Sequence, residues 1–156
     1  SFAHVAKYLV ERYQLRSVVI GGPREESIAS VVAGLSGNCA VDITGLNLVD
    51  LVALIADCTV FIGNDSGPMH IAAAFGRPQV AIFGGSNPAV WSPWTAAPKR
   101  ALIAPGGNVD HKSTSGGSQG SSSTNVSPIE RISVDEVTAA VDEILRAEPV
   151  RQFSGH

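Results

Sequence analysis

The chain has 156 residues, a length for one domain, and 44% of them are hydrophobic, enough for a packed core. Its formal net charge is −3, and it shows no basic face of the kind nucleic acid demands. No apolar run approaches the roughly 20 residues of a membrane span, and the first residues form an amphipathic helix rather than a signal peptide. Cys39 and Cys58 lack metal-ligand spacing and stand in apolar settings, so both read as buried free thiols and the compartment as the cytoplasm.

Phe2, Val5, Ala6, Leu9 and Tyr13 recur at helical spacing and predict a helix over residues 2–13. Ser17 to Ile20 reads as a buried-type strand, broken at its carboxyl end by Gly21-Gly22-Pro23. Ile28, Val31, Val32 and Leu35 form the apolar stripe of a second helix, closed by Gly37. Ala40 to Ile43 is a short strand. Asn47 caps a third helix with Asp50 as the capping-box acid, and its stripe is Leu48, Leu51, Val52 and Ile55. Val60 to Ile62 is another short strand, and Gln79 to Phe83 a fourth, ending at Gly84-Gly85. After the Trp91-Ser92-Pro93-Trp94 turn, which reads as packing, Arg100 to Ala104 is the last strand. Ser133 with Glu136 is a capping box, and Val137, Ala140, Val141 and Ile144 face a final helix inward. Gly106 to Ser127, rich in Gly and Ser, cannot bury enough to offset its ordering entropy and reads as a flexible loop, so His111 and Lys112 within it read as solvated.

Strands alternating with helices predict a Rossmann-like α/β fold, a doubly wound parallel sheet. Such a fold begins with a strand, and this chain begins with a helix. In a 3-2-1-4-5-6 order the absent first strand is central, between Ser17–Ile20 and Val60–Ile62. Either those two strands pair directly or another chain fills the gap.

The chemistry concentrates after Val60–Ile62. Asn64, Asp65, Ser66 and Gly67 form a polar turn, Pro68 suits the first helical position, and Gly76 followed by Arg77-Pro78 stops the helix, with Arg77 satisfying its last carbonyls. The first amides of a helix beginning there, those of Met69, His70 and Ile71, lack partners and carry the positive end of the dipole. They predict a seat for phosphate or diphosphate, with the Ser66 hydroxyl and the His70 ring as added donors and Gly67 permitting close approach. Asp65 repels phosphate, so it suits a ligand hydroxyl or amine, or braces the loop. A structural turn with a core histidine is the alternative.

Asn64-Asp65-Ser66-Gly67-Pro68-Met69-His70, with Ala72-Ala73-Ala74 and Gly76-Arg77-Pro78 behind it, resembles the signature of the lipopolysaccharide heptosyltransferases, glycosyltransferase family nine. Gly21-Gly22-Pro23-Arg24-Glu25-Glu26, Gly45-Leu46-Asn47-Leu48 and Phe83-Gly84-Gly85-Ser86-Asn87-Pro88 resemble further motifs of that family in the same order. The resemblance implies the carboxyl-terminal half of a two-domain GT-B enzyme, so that residues 1–156 would be its nucleotide-sugar (donor) domain. It implies that Asp65, Ser66, Gly67 and His70 contact the donor's diphosphate and sugar. Glu26, or Glu25, would then bind ribose, Leu46 would pack on adenine, and Gly84 and Gly85 would line the phosphate or acceptor side. The donor implied is ADP-heptose and the acceptor the lipid A–core. The catalytic base, an Asp, is expected from the missing domain, so no catalytic residue is assigned in this chain. No metal or other cofactor is implied, no nucleic acid, and peripheral membrane association belongs only to a full-length protein. A non-catalytic nucleotide-sugar binding module, or another GT-B enzyme such as a nucleotide-sugar epimerase, is the alternative function.

Overall fold

In a computed structural model that describes residues 1–105 and 128–147, the chain alternates helices and strands. The elements run α1 (Phe2–Tyr13), β1 (Ser17–Val19), α2 (Glu26–Leu35), β2 (Ala40–Asp42), α3 (Leu48–Asp57), β3 (Phe61–Asn64), α4 (Gly67–Ala74) and β4 (Gln79–Phe83). A short α5 (Pro88–Trp91), β5 (Lys99–Ile103), a 3-10 turn at Pro128–Arg131 and α6 (Val134–Ala147) complete the order. The loop predicted over residues 106–127 lies outside the described residues.

All pairing is parallel, but it falls into two sheets. β1 pairs with β2, with Val18 opposite Val41. β3, β4 and β5 form the other sheet, with Ile62 opposite Val80 and Val80 opposite Arg100. The direct pairing of Ser17–Ile20 with Val60–Ile62 is therefore not formed. β1 stops at Val19, and Ile20 leaves the ladder to pack beside Ile55, Phe61, Met69 and Phe83.

β4 explains how the larger sheet is covered. All five of its residues are buried, as a strand with helices on both faces must be. Side chains alternate along a strand. Val80 and Ile82 join Val5 and Leu9 of α1 and Val137, Val141 and Ile144 of α6 on one face. Ala81 and Phe83 join Ile55 of α3 and Met69 and Ala72 of α4 on the other. Each such large apolar side chain taken fully from water contributes about 1.5–3 kcal/mol, which makes β4 the spine of the molecule. Gln79 sits wholly buried at the start of that strand, and neither its amide oxygen nor its amide nitrogen has a hydrogen-bond partner among the described residues.

The helix ends follow the predicted chemistry. Asn47 accepts from the Asp50 amide at 3.0 Å. Ser133 and Glu136 exchange reciprocal bonds, Glu136 N to Ser133 Oγ at 3.1 Å and Ser133 N to Glu136 Oε2 at 2.8 Å. Gly76 adopts φ 62°, the left-handed stop that glycine takes without strain, and Arg77 donates from Nε to the Phe75 carbonyl.

The second helix departs from expectation. Within it Ala29 is buried and Val32 half-buried, and the residue after it, Ser36, is buried, while Ile28, Val31 and Leu35 are exposed. The small residues allow close approach to the two-stranded sheet, and the larger ones are left without a partner. The cysteines also differ. Both are free but only half-buried, and burial pushes the Cys58 thiol up to about 11.

Candidate functional site

The carboxyl ends of β3 and β4 are adjacent because the two strands pair in register up to Asn64 and Ile82. The chain beyond each end is short and polar. Asp65 donates its amide to the Ile82 carbonyl at 3.0 Å, which continues the ladder by one bond and fixes the turn. Across from it β4 runs into Gly84, Gly85 and Ser86. Between the two ends lies an open cleft of about 400 Å³ whose lining includes Asn64, Asp65, Gly84, Gly85, Ser86 and Ile129. Three of the predicted site residues, Asp65, Gly84 and Gly85, thus share one cavity wall.

The start of α4 is one residue earlier than expected. Ser66 is extended, with φ −160° and ψ 171°, and Gly67 is the first helical residue. The expected row of free amides moves accordingly. The Met69 amide donates back to the Ser66 carbonyl at 3.1 Å, and Ile71 lies a full turn inside the helix, where its amide belongs to the ladder. Pro68 has no N–H. Outside the helix's own bonds, the amides of Ser66, Gly67 and His70 have no partner among the described residues. The predicted anion seat therefore loses the amides of Met69 and Ile71. The Ser66 hydroxyl donates to the Asn64 carbonyl at 3.1 Å, so it braces the turn rather than capping the helix.

Met69 is wholly buried and His70 beside it is exposed. The core-histidine alternative is thereby excluded, since the ring stands in solvent on the first turn of α4. Gly67 is open too, with no heavy atom within 4 Å of where a Cβ would stand.

Glu25, Glu26 and Leu46 lie just past the ends of the two-stranded sheet. Glu25 Oε2 accepts from the Gly22 amide at 2.7 Å, which commits that carboxylate to the loop after β1. Glu26, the first residue of α2, is exposed with no recorded side-chain partner among the described residues. Leu46 is half-buried between β2 and α3. Neither Glu26 nor Leu46 lines the cleft that holds Asp65.

Two features escape a residue-type reading. The Trp91-Ser92-Pro93-Trp94 segment does not pack as expected, because Trp94 is 98% exposed and Trp91 54%. Ile129 reaches the cleft from a segment 45 residues beyond Gly84, and no local pattern marks it.

Among the described residues no helix is long and apolar enough to cross a membrane. Comparison with known proteins gives a match of residues 1–112 to the family described as glycosyltransferase family 9 (heptosyltransferase). Lipopolysaccharide heptosyltransferase 3 of Escherichia coli K12 is 38% identical over 99 residues, covering 60% of this chain and 28% of that protein. Lipopolysaccharide heptosyltransferase 2 of Salmonella typhimurium is 37% identical over 93 residues, covering 56% of this chain and 26% of the relative. The chain thus spans under a third of the length of these relatives. Among solved structures, a glycosyl transferase family 9 protein from Veillonella parvula superposes with a TM-score of 0.73 at 28% identity, over 94% of this chain and 40% of the other. The Escherichia coli heptosyltransferase WaaC with ADP superposes with a TM-score of 0.67 at 17% identity, over 90% of this chain and 38% of the other, a likeness of fold.

Proposed function

This chain belongs to glycosyltransferase family 9 (heptosyltransferase), and from that premise we propose that residues 1–156 form the donor-binding part of an inverting glycosyltransferase. The donor is ADP-heptose and the acceptor is the lipopolysaccharide inner core, reached through a second domain that also brings the catalytic base. The work is cytoplasmic, and membrane association is peripheral and belongs to the whole enzyme.

The observation that carries the reading is the cleft between the ends of β3 and β4, where Asp65, Gly84 and Gly85 face one another beside the first turn of α4. In an inverting transfer an acceptor hydroxyl, deprotonated by a base, displaces a nucleoside diphosphate. The donor domain's task is to stabilise the negative charge that develops on that leaving group. Here the partnerless amides of Ser66 and Gly67 and the dipole of α4 supply fixed positive potential, worth about 0.3–1 kcal/mol near the surface and up to about 2 where water is excluded. The exposed His70 ring adds a donor. Asp65, unsuited to phosphate, takes sugar hydroxyls. Gly84 and Gly85 let the ligand lie against backbone. Glu26 serves the ribose and Leu46 the adenine face.

Titration calorimetry with ADP, UDP and ADP-heptose tests this. The expected result is binding of ADP and ADP-heptose over UDP, with His70→Ala weakening ADP by about 1–3 kcal/mol. Preference for UDP would move the assignment to an epimerase-type enzyme. Absence of binding by all three would remove the donor role from this chain.

A further inference from the structure

The 3-10 turn at Pro128–Arg131 is held from two sides. Arg131 Nη1 donates to the Pro105 carbonyl at 3.2 Å, which ties the turn to the chain leaving β5. The Ile132 amide closes on the Ile129 carbonyl at 3.2 Å, immediately before the capping box of α6. Ile129 is therefore delivered by a clamped turn, not by a free loop. Its side chain packs on the β4–α6 core and extends over the end of β4. There it occupies the space of the side chain that Gly84 lacks: a Cβ on residue 84 would stand 2.5 Å from Ile129 Cγ1 and 3.0 Å from Cδ1. Gly84 and Ile129 are thus a fitted pair, and the pair forms part of the wall of the cleft that holds Asp65.

A sugar presents hydroxyls on its rim and C–H groups on its faces. A carboxylate beside an aliphatic wall suits both, the carboxylate taking hydroxyls and the wall packing against the outermost carbons of the skeleton. We infer that Ile129 is the specificity-determining residue of the donor pocket, favouring a glycosyl group whose carbon skeleton is long enough to pack against it. This rests on the donor-binding reading above. A pocket discriminates one carbon more or less by roughly 10- to 200-fold at best, so the wall has room for a measurable effect.

The experiment compares ADP, ADP-glucose and ADP-heptose by calorimetry on the full chain and on Ile129→Ala, with Ile129→Val as the smaller truncation. Ile129→Ala is expected to keep ADP affinity within about twofold of the parent. It should also narrow the ratio of ADP-heptose to ADP-glucose affinity at least fivefold, and Ile129→Val about twofold, in line with the cost of a methylene in a pocket. Should Ile129→Ala fail to fold, as judged by circular dichroism and melting, the Val variant decides. An unchanged ratio with ADP binding intact overturns the role of Ile129 and leaves the donor reading standing. A parent chain that binds no nucleotide overturns both.

Discussion

Gly63 has no room for a side chain. A Cβ there would lie 2.9 Å from two ring atoms of Phe61, because residues two apart on β3 share a face and the ring folds over its neighbour. Phe61 is also part of the core under α4. Gly63→Ala must therefore push a buried aromatic ring, and we expect a loss of about 1–3 kcal/mol, typical of overpacking. Urea unfolding should show a lower midpoint with an unchanged slope, and a variant as stable as the parent would mean the ring swings aside freely. Asp65, Gly84 and Gly85 could be read as neighbours at one cleft because strand-end turns of a parallel sheet converge by construction. Ile129 could not, since its reach onto Gly84 depends on where a distant turn is clamped. The one-residue error at the start of α4 has a local cause: Ser66 turns its hydroxyl back to the Asn64 carbonyl, and the helix begins at Gly67 instead of Pro68.

The helices show the same division. The inward faces of α1 and α6 followed from periodicity, but the polar junction between them did not. Tyr8 and Tyr13 both donate to Asp142 Oδ1, at 2.7 and 2.8 Å, and Arg146 Nη2 donates to Asp142 Oδ2 at 3.1 Å. The Tyr8 hydroxyl, then that of Tyr13 and the charge of Arg146, hold the Asp142 carboxyl below its usual range. In return its bond raises Tyr8, and burial together with the same carboxylate raises Tyr13. The signs are opposite at the two ends of the pH scale. A lowered carboxyl contributes stability above about pH 4, lost as pH falls through its native value; raised phenols contribute below about pH 10, lost as pH rises through theirs. We expect Tyr8→Phe/Tyr13→Phe to cost about 1–2 kcal/mol at neutral pH. The double variant should also remove the parent's extra loss of stability above about pH 10, where the phenols ionise. Urea midpoints from pH 3 to 11 test it, and curves that stay parallel throughout would assign the junction no linkage to protons.

At the scale of the molecule the strand order was legible, and the faces left open were not. Helical spacing assigned Ile28, Val31 and Leu35 of α2 to the core, yet they are 64%, 59% and 62% exposed. Periodicity reports which residues share a face, not which face finds a partner. On the sheet that α2 covers, the cross-strand pair Val18 and Val41 is 42% and 46% exposed, and among the described residues β1 is paired only with β2. An apolar stripe and an unpaired strand edge in one small unit form a surface for association in water. The chain by itself should therefore associate as its concentration rises. Val31→Glu/Leu35→Glu should lower the mean mass at a given concentration while shifting stability by no more than about 0.5 kcal/mol, because the residues replaced are already in solvent. Sedimentation velocity over a hundredfold concentration range measures the first quantity and thermal melting the second. A parent chain whose mass is independent of concentration shows that the stripe is tolerated in water; an association that survives both substitutions moves the contact to the open edge of β1, where Val18→Pro, by removing an amide that faces that edge, is the next variant to compare.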